Sequence, residues 1–121
     1  MGLRNHEVEF YEKENGRCPI LDFFGDLSKE DLVLIELNLE RLKRYGKELK
    51  RPYVAPLRDH IWELRVRSHH GQYRLLYFFF EGDRIVLTNG FRKKTDKVPD
   101  VEIERALECM RDYLSRQTDR R

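Results

Sequence analysis

Basic side chains in three strand-like segments between Ile61 and Thr95 are the residues of this sequence best suited to chemistry. Arg65 and Arg67 belong to the first segment and Arg74 to the second, and the run Arg92-Lys93-Lys94 follows the third. An arginine in an otherwise apolar sheet is costly to place unless an anion meets it. The pattern therefore makes phosphate, and hence nucleic acid, the first ligand to consider.

The alternation of side chains along a strand predicts which of these cations share a face. Arg65 and Arg67 fall on one face of their strand together with Glu63. In an antiparallel hairpin Arg74 lies near Arg67, because few residues separate them. If the run Arg92-Lys93-Lys94 folds back over this face, the cations converge on one groove that can bind a phosphate and stabilise charge developing on it. The alternative is a solvated face on which Arg65 and Arg67 pair with acids.

Composition limits the class of protein. The 121 residues predict a single domain, 1–121, with one modest core. Cys18 and Cys109 are solitary, which is typical of free thiols in a reducing cytoplasm. Neither they nor the histidines have the spacing of a zinc site, so no metal or cofactor is predicted. No apolar run has the length of a membrane span or signal peptide, which favours a cytoplasmic location without a membrane partner.

Hydrophobic periodicity predicts the elements that must position the cations. Val8 and Phe10 alternate with polar residues, which predicts an edge strand. The middle strand of the main sheet is an apolar run, which is typical of a central strand covered on both faces. Two helices are expected to cover one face, and the C-terminal segment or a partner the other. The predicted elements are a strand at His6–Glu12, helices at Ile20–Leu27 and from Ser28 to about Tyr45, a loop at Tyr53–His60, an antiparallel meander of Ile61–Arg67, Gln72–Phe80 and Arg84–Asn89, and a helix from Pro99 to about Arg116.

Three motifs of this region resemble those of a known family. They are Trp62-Glu63-Leu64-Arg65-Val66-Arg67, Tyr73-Arg74-Leu75-Leu76-Tyr77 and Gly90-Phe91-Arg92-Lys93-Lys94-Thr95, followed by a proline and an acid-rich helix. In this order, over nearly the whole chain, they resemble the RelE/ParE superfamily of bacterial toxins, and most closely its phage-derived HigB-like branch. The resemblance implies an α+β fold similar to small microbial ribonucleases: a twisted antiparallel sheet of about four strands, two N-terminal helices on one face and a C-terminal helix.

The same resemblance implies a function. It is that of the toxin of a type II toxin–antitoxin system, a ribosome-dependent mRNA endoribonuclease that inhibits translation. In that family a ribose 2′-OH attacks the adjacent phosphate, so a metal-independent enzyme without a cofactor is expected. The implied partners are the ribosome, mRNA and a cognate antitoxin, a helix-turn-helix protein encoded by the adjacent gene. A toxin–antitoxin heterotetramer is one assembly that such a pair allows.

Residue roles carry over by position in the motifs. Arg67 and Arg74 match the phosphate-contacting arginines of the family, and Arg65 matches a basic position on the same strand. Lys93 or Lys94 matches the loop cation that stabilises or protonates the leaving group. We expect Arg74 and Lys93 to bind the scissile phosphate, with Arg65 and Arg67 supporting them.

The identity of the general base stays open. Glu63 stands where some members carry another lysine, and no tyrosine follows the cationic run. Glu63 can serve if the surrounding cations keep it ionised and close to the 2′-OH. His69 or His70 is the other candidate, because an imidazole titrates near neutral pH. Either histidine can equally be an exposed residue at the tip of a hairpin.

Phosphate contacts beyond the scissile group are expected from Arg92 and from a second basic block between Arg41 and Arg58. A ribosome-dependent toxin needs backbone affinity outside its active site. The block is equally consistent with an ordinary solvated helix face. The candidate RNA-binding residues of this block are Lys43, Arg44, Lys47, Lys50 and Arg51.

Two other functions remain open at this point. One is a ParE-like toxin that shares the fold but inhibits DNA gyrase without being a nuclease. The other is a plain binding module, such as a nucleic-acid-binding accessory module of a phage or an inactive remnant. The combination of Arg74 with a Lys93-Lys94 pair favours the nuclease, because a gyrase inhibitor does not need a cationic active site.

Overall fold

The chain folds into one mixed sheet with helices on both of its faces. The computed structural model describes residues 5–119, with side chains up to residue 117. The elements are β1 Glu7–Phe10, α1 Pro19–Phe24, α2 Lys29–Tyr45, β2 Val54–Pro56, β3 Trp62–Ser68, β4 Gly71–Phe80, β5 Arg84–Lys93 and α3 Asp100–Asp119. A 3₁₀ turn, Gly46–Glu48, follows α2, and α1 ends before the predicted Leu27.

The sheet has the strand order β1-β5-β4-β3-β2 and confirms the α+β class. β3, β4 and β5 form the predicted antiparallel meander, and β1 is the predicted edge strand. Two details of the prediction are wrong: the sheet has five strands rather than about four, and β1 pairs with β5 in parallel. The additional strand, β2, lies within the predicted loop Tyr53–His60 and pairs with β3. Pro52 and Pro56 give this short segment the composition of a turn, which conceals the strand.

Strand β5 continues through Lys93, past its predicted end. Arg92 and Lys93 therefore lie in a strand rather than in the predicted loop, and only Lys94 follows it. Gly90 allows α1 to approach this strand, because a Cβ at that position would lie 2.5 Å from Cδ2 of Phe23. A glycine followed by cations is typical of a loop, so the sequence conceals the extension. Because neighbouring residues of a strand point to opposite faces, Arg92 and Lys93 cannot both face one groove.

Local signals explain where the longest N-terminal helix begins and ends. Ser28, the residue at which the helix is predicted to begin, caps α2, and its Oγ accepts the backbone N–H of Asp31 at 3.2 Å. The apolar stripe of α2 buries Ile35 and Leu42. Gly46 follows the last residue with a φ of 52°, which glycine adopts with little strain. None of the helices within the described range combines the length and the apolarity that crossing a membrane requires.

Each face of the sheet carries its own apolar core. Helices α1 and α2 pack against the face that carries Tyr73, Leu75 and Tyr77 of β4. Helix α3 packs against the opposite face, which carries Leu76 and Phe78. The alternation of β4 predicts both sets, and the C-terminal segment is confirmed as the cover of the second face. Helix α3 packs chiefly on β4 and β5. It therefore does not cover the part of this face that β3 forms, and an open groove lies there.

Candidate functional site

A groove of about 550 Å³ opens on the α3 face of the sheet, at the end that carries the β3–β4 turn, and extends around β3 to Asn38 of α2 and to Val66, which belong to the opposite side. The pairing of the strands brings its cations together, because Arg65 lies directly opposite Arg74, and Gln72 lies opposite Lys93. Arg67 is paired with Gln72 and is therefore the diagonal neighbour of Arg74 on the same face, as the hairpin prediction of nearby arginines requires. We call this site the cation groove. Its lining residues are Asn38, Pro52, Tyr53, Arg65, Val66, Arg67, Gln72, Arg74 and Lys93.

Glu63 organises the arginines of the cation groove from below. Its Oε1 accepts a hydrogen bond from Arg74 Nε at 2.9 Å, and its Oε2 accepts from Nε and Nη2 of Arg65 at 3.2 and 3.1 Å. Arg74 also donates to the backbone oxygen of Tyr73 and to Oε1 of Gln72, both at 3.1 Å. Glu63 and Arg74 are only 4% and 5% exposed. Burial lowers the pKa of Arg74, and the neighbouring Glu63 opposes that shift.

The other cations of the groove are more accessible than Arg74. Arg67 is exposed, and Arg65 and Lys93 are half-buried. Guanidinium and ammonium groups on one wall form charge-assisted hydrogen bonds to phosphate oxygens. The arrangement can therefore bind a phosphodiester at its surface, while Arg74 adds positive charge from beneath it.

Arg92 and Lys94 do not line the cation groove. Arg92 lies opposite Tyr73 on the α1–α2 face, where its side chain passes close to Gly71. Lys94 is exposed beyond the end of β5. Of the predicted cationic run, the structure thus brings only Lys93 to the groove.

Glu63 and His70, two of the three predicted base candidates, are separated by the sheet. Glu63 lies beneath the cation groove. His70 lies in the β3–β4 turn and reaches the α1–α2 face, where its Nδ1 is 3.1 Å from Oδ2 of Asp31. His69, in the same turn, is exposed. Among the predicted base candidates, Glu63 is the one in contact with the arginines of the groove.

A second pocket, of about 450 Å³, surrounds the contact between His70 and Asp31 on the α1–α2 face. Buried Asp31 accepts a short hydrogen bond from the Tyr73 hydroxyl and is hydrogen-bonded to His70. The hydrogen bond from Tyr73 is the main reason that the pKa of Asp31 lies below its usual value, and His70 adds to the shift. Burial, followed by the hydrogen bond to Asp31, raises the pKa of Tyr73. This carboxylate therefore ties the β3–β4 turn to α2.

Sequence reasoning missed three residues near these sites. Asp31 lies in the first turn of α2, where an acid is favoured by position alone, and four positions before buried Ile35 on the apolar stripe. That spacing is a signal that could have found it. Gln72 and Tyr53 carried no signal, because their place in the cation groove depends on pairing with β5 and β3.

The residues of the second basic block make several different contacts. Lys43 pairs with Glu40 at 3.3 Å, and Lys47 Nζ lies 5.3 Å from the centre of the Phe79 ring. Arg44 lies over Tyr45, next to it in the chain. Tyr45, Lys50 and Arg51 line a hollow beside the cation groove. Among the described residues, no group of three or more His, Cys, Asp or Glu side chains is placed to hold a metal ion.

The fold and the groove define a small α+β protein with a cationic site on one face of its sheet. The model of one protein family, described as phage derived protein Gp49-like (DUF891), matches residues 22–111. Since this match covers most of the chain, the protein belongs to the Gp49-like family, which is commonly associated with toxin–antitoxin modules. No curated protein matches the chain. The resemblance to the wider RelE/ParE superfamily stays a prediction.

Proposed function

We propose that this chain is the toxin of a type II toxin–antitoxin pair and that it cleaves ribosome-bound mRNA in the cytoplasm, independently of metal. The observation that supports the proposal most strongly is the cation groove, in which three arginines and Lys93 share one sheet face above a buried carboxylate. Membership of the Gp49-like family supports the toxin part of the proposal. The antitoxin partner and the dependence on the ribosome rest on the RelE/HigB-like resemblance.

In the proposed reaction, the ribose 2′-OH attacks the adjacent phosphorus. The bond from O2′ to phosphorus forms, the bond from phosphorus to O5′ breaks, and one proton leaves the 2′-OH while one reaches the leaving O5′. Lys93 and Arg67, which have accessible surface in the groove, bind the scissile phosphate. Their positive charge stabilises the additional negative charge of the transition state. Arg65 supports them from the same wall.

Arg74 and Glu63 act in this proposal by positioning. Arg74 Nε, Nη1 and Nη2 all donate to groups of the protein, so its charge is fixed below the phosphate rather than at the surface. Glu63 receives hydrogen bonds on both oxygens from Arg65 and Arg74, which orients the two guanidinium groups. Glu63→Gln separates this role from proton transfer, because the amide keeps an acceptor oxygen but cannot serve as the base. Retained cleavage in Glu63→Gln would assign Glu63 to positioning alone.

The test is tightly controlled expression in bacteria with mapping of new 5′ ends on translated messages. Wild type should arrest growth and produce new ends. Lys93→Ala and Arg67→Ala should abolish both effects. Arg111→Ala, which removes an exposed cation of α3 outside the groove, is the matched control and should behave as wild type.

The same experiment contains the outcomes that would overturn the proposal. Growth arrest with altered DNA supercoiling and no new 5′ ends would identify a ParE-like gyrase inhibitor. No effect on growth, with retained binding to nucleic acid, would identify an accessory binding module. Cleavage that survives both Lys93→Ala and Arg67→Ala would place the chemistry outside the cation groove.

A further inference from the structure

A hollow of about 350 Å³ adjoins the cation groove around the segment between α2 and β2. Tyr53 lines both sites and forms the wall between them. Its backbone oxygen accepts the N–H of Arg65 at 2.8 Å, which fixes the wall to β3. We call this site the tyrosine hollow. Its lining residues are Arg41, Tyr45, Glu48, Leu49, Lys50, Arg51 and Tyr53.

Two tyrosine rings of the hollow are unusually accessible. Tyr45 and Tyr53 are each 40% exposed, whereas Tyr11, Tyr73, Tyr77 and Tyr113 are buried. The guanidinium of Arg41 lies 4.1 Å from the centre of the Tyr53 ring, and that of Arg44 lies 5.8 Å from the centre of the Tyr45 ring. A ring supported by a cation presents a flat, polarised surface on which a nucleobase can stack.

The charge of the hollow matches a polyanion. Arg41, Lys50 and Arg51 line it against the single acid Glu48. Cations that follow a backbone, interleaved with aromatic rings that accept bases, are the recurring composition of single-strand nucleic-acid sites. A duplex has no unstacked bases to offer these rings.

We propose that the tyrosine hollow binds single-stranded RNA that leaves the cation groove, with one base stacked on Tyr53 and the next on Tyr45. Lys50 and Arg51 contact the phosphates next to these two bases. This inference deepens the proposed function, on which it rests for the presence of RNA in the groove. The continuity through Tyr53 makes the two sites one track, so the substrate is held as an extended strand on one side of the scissile bond.

The test measures binding of the purified full-length chain to a fluorescently labelled single-stranded oligoribonucleotide by fluorescence anisotropy, without ribosomes. Base stacking contributes about 1–3 kcal/mol per base, so Tyr53→Leu should weaken binding roughly 5- to 150-fold. Tyr53→Phe keeps the ring and should bind as wild type. Unfolding midpoints of both variants report whether the hollow stays folded.

Salt dependence separates stacking from phosphate contacts. Tyr53→Leu removes no phosphate contact and should leave the slope of log affinity against log salt unchanged. Arg51→Ala should reduce that slope by about 0.7, the value for one contact with a single strand. A 2-aminopurine placed in the probe should be quenched by wild type and by Tyr53→Phe but not by Tyr53→Leu.

Several results would overturn the inference. They are wild-type affinity in Tyr53→Leu, equal affinity for a duplex of the same sequence, and displacement of the RNA by an acidic peptide at the same charge concentration. Failure of the nuclease proposal gives a different result from failure of this inference. If the protein binds the probe through Tyr53 but produces no new 5′ ends, the nuclease proposal fails and this inference stands. If the protein produces new 5′ ends but Tyr53→Leu binds and cuts as wild type, the nuclease proposal stands and only this inference fails.

Discussion

Glu63 Oε1 lies 2.9 Å from Arg74 Nε in an ion pair that is buried beneath the cation groove. The same carboxylate holds Arg65 through its other oxygen. Two guanidinium groups of neighbouring strands therefore share one acid, and this arrangement allows three arginines to stand on one sheet face without unpaired charge in the core. Arg74 is buried in this ion pair, whereas the other cations of the groove are accessible.

The first prediction concerns the stability of this ion pair. Glu63→Ala leaves Arg74 buried without its charged partner, and breaking a buried pair in this way costs about 3–5 kcal/mol. Glu63→Gln keeps an acceptor and should cost clearly less. Urea unfolding of both variants measures the difference. A loss in Glu63→Ala no larger than that of an ordinary surface substitution would show that water reaches Arg74.

The second prediction uses two neighbouring cations that lie on opposite faces of β5. Lys93 lines the cation groove, whereas Arg92 faces the pocket of Asp31. Lys93→Ala should lower the rate of message cleavage about 100-fold or more, the usual effect of removing one group that stabilises transition-state charge. Arg92→Ala should retain most of the activity. The rate at which new 5′ ends appear after induction measures both. Equal losses in the two variants would contradict the assignment of the groove.

The third prediction concerns acid unfolding. Hydrogen bonds from Tyr73 and His70 hold the pKa of Asp31 below its usual value, so the folded state favours the ionised carboxylate. The unfolded pKa is about 3.9. The stabilisation is therefore fully present above about pH 4, and it is lost as the pH falls through the lower folded value. Asp31→Asn removes this group from the titration.

The free energy of unfolding, measured in urea from neutral to strongly acidic pH, tests this point. Wild type should lose more stability in acid than Asp31→Asn. Some loss should remain in the variant, because the Tyr11 hydroxyl and Arg116 also lower the pKa of Asp112. If the free energy of unfolding falls identically in acid for the two proteins, the Asp31 contacts contribute nothing to the titration.

The fourth prediction concerns the thiols. Cys18 and Cys109 are both free and buried, and burial raises the pKa of Cys109 to about 11. Burial keeps both thiols away from reagents, and the raised pKa leaves Cys109 with little thiolate. Neither cysteine should react with a thiol reagent at about pH 8 in the native protein, and both should react in denaturant. Rapid modification of the native protein would indicate local opening of the core.

The parts of the fold that the sequence predicts are those whose signal is local. Alternation along β3 and β4 predicts both faces of the sheet, and the stripe and cap of α2 predict that helix, because period and capping depend on nearby residues only. The parallel partner of β1 and the short β2 could not be predicted in this way. The pairing of β1 joins residues such as Val8 and Ile85 that are far apart in the chain. Strand β2 pairs with a nearby segment, Val54 with Leu64, but its prolines give it the composition of a turn.

The residues of the candidate site likewise include some that a local sequence signal predicts and some that it does not. Glu63, Arg65 and Arg67 follow from the alternation of one strand. The contact of His70 with Asp31 joins residues 39 positions apart and has no local signal. The separation of Arg92 from Lys93 depends on whether β5 continues past Gly90, and glycine followed by cations favours the opposite conclusion.

The last prediction tests the end of α2. Gly46 has a φ of 52°, and a Cβ there would lie 2.2 Å from Nε2 of His6. Gly46→Ala should therefore destabilise the protein by about 1 kcal/mol or more, from backbone strain and from the clash together. In the double variant His6→Ala with Gly46→Ala only the strain remains, so its cost should be smaller than the sum of the single costs. Urea midpoints of the three variants measure the coupling, and strict additivity would show that the His6 ring moves aside freely.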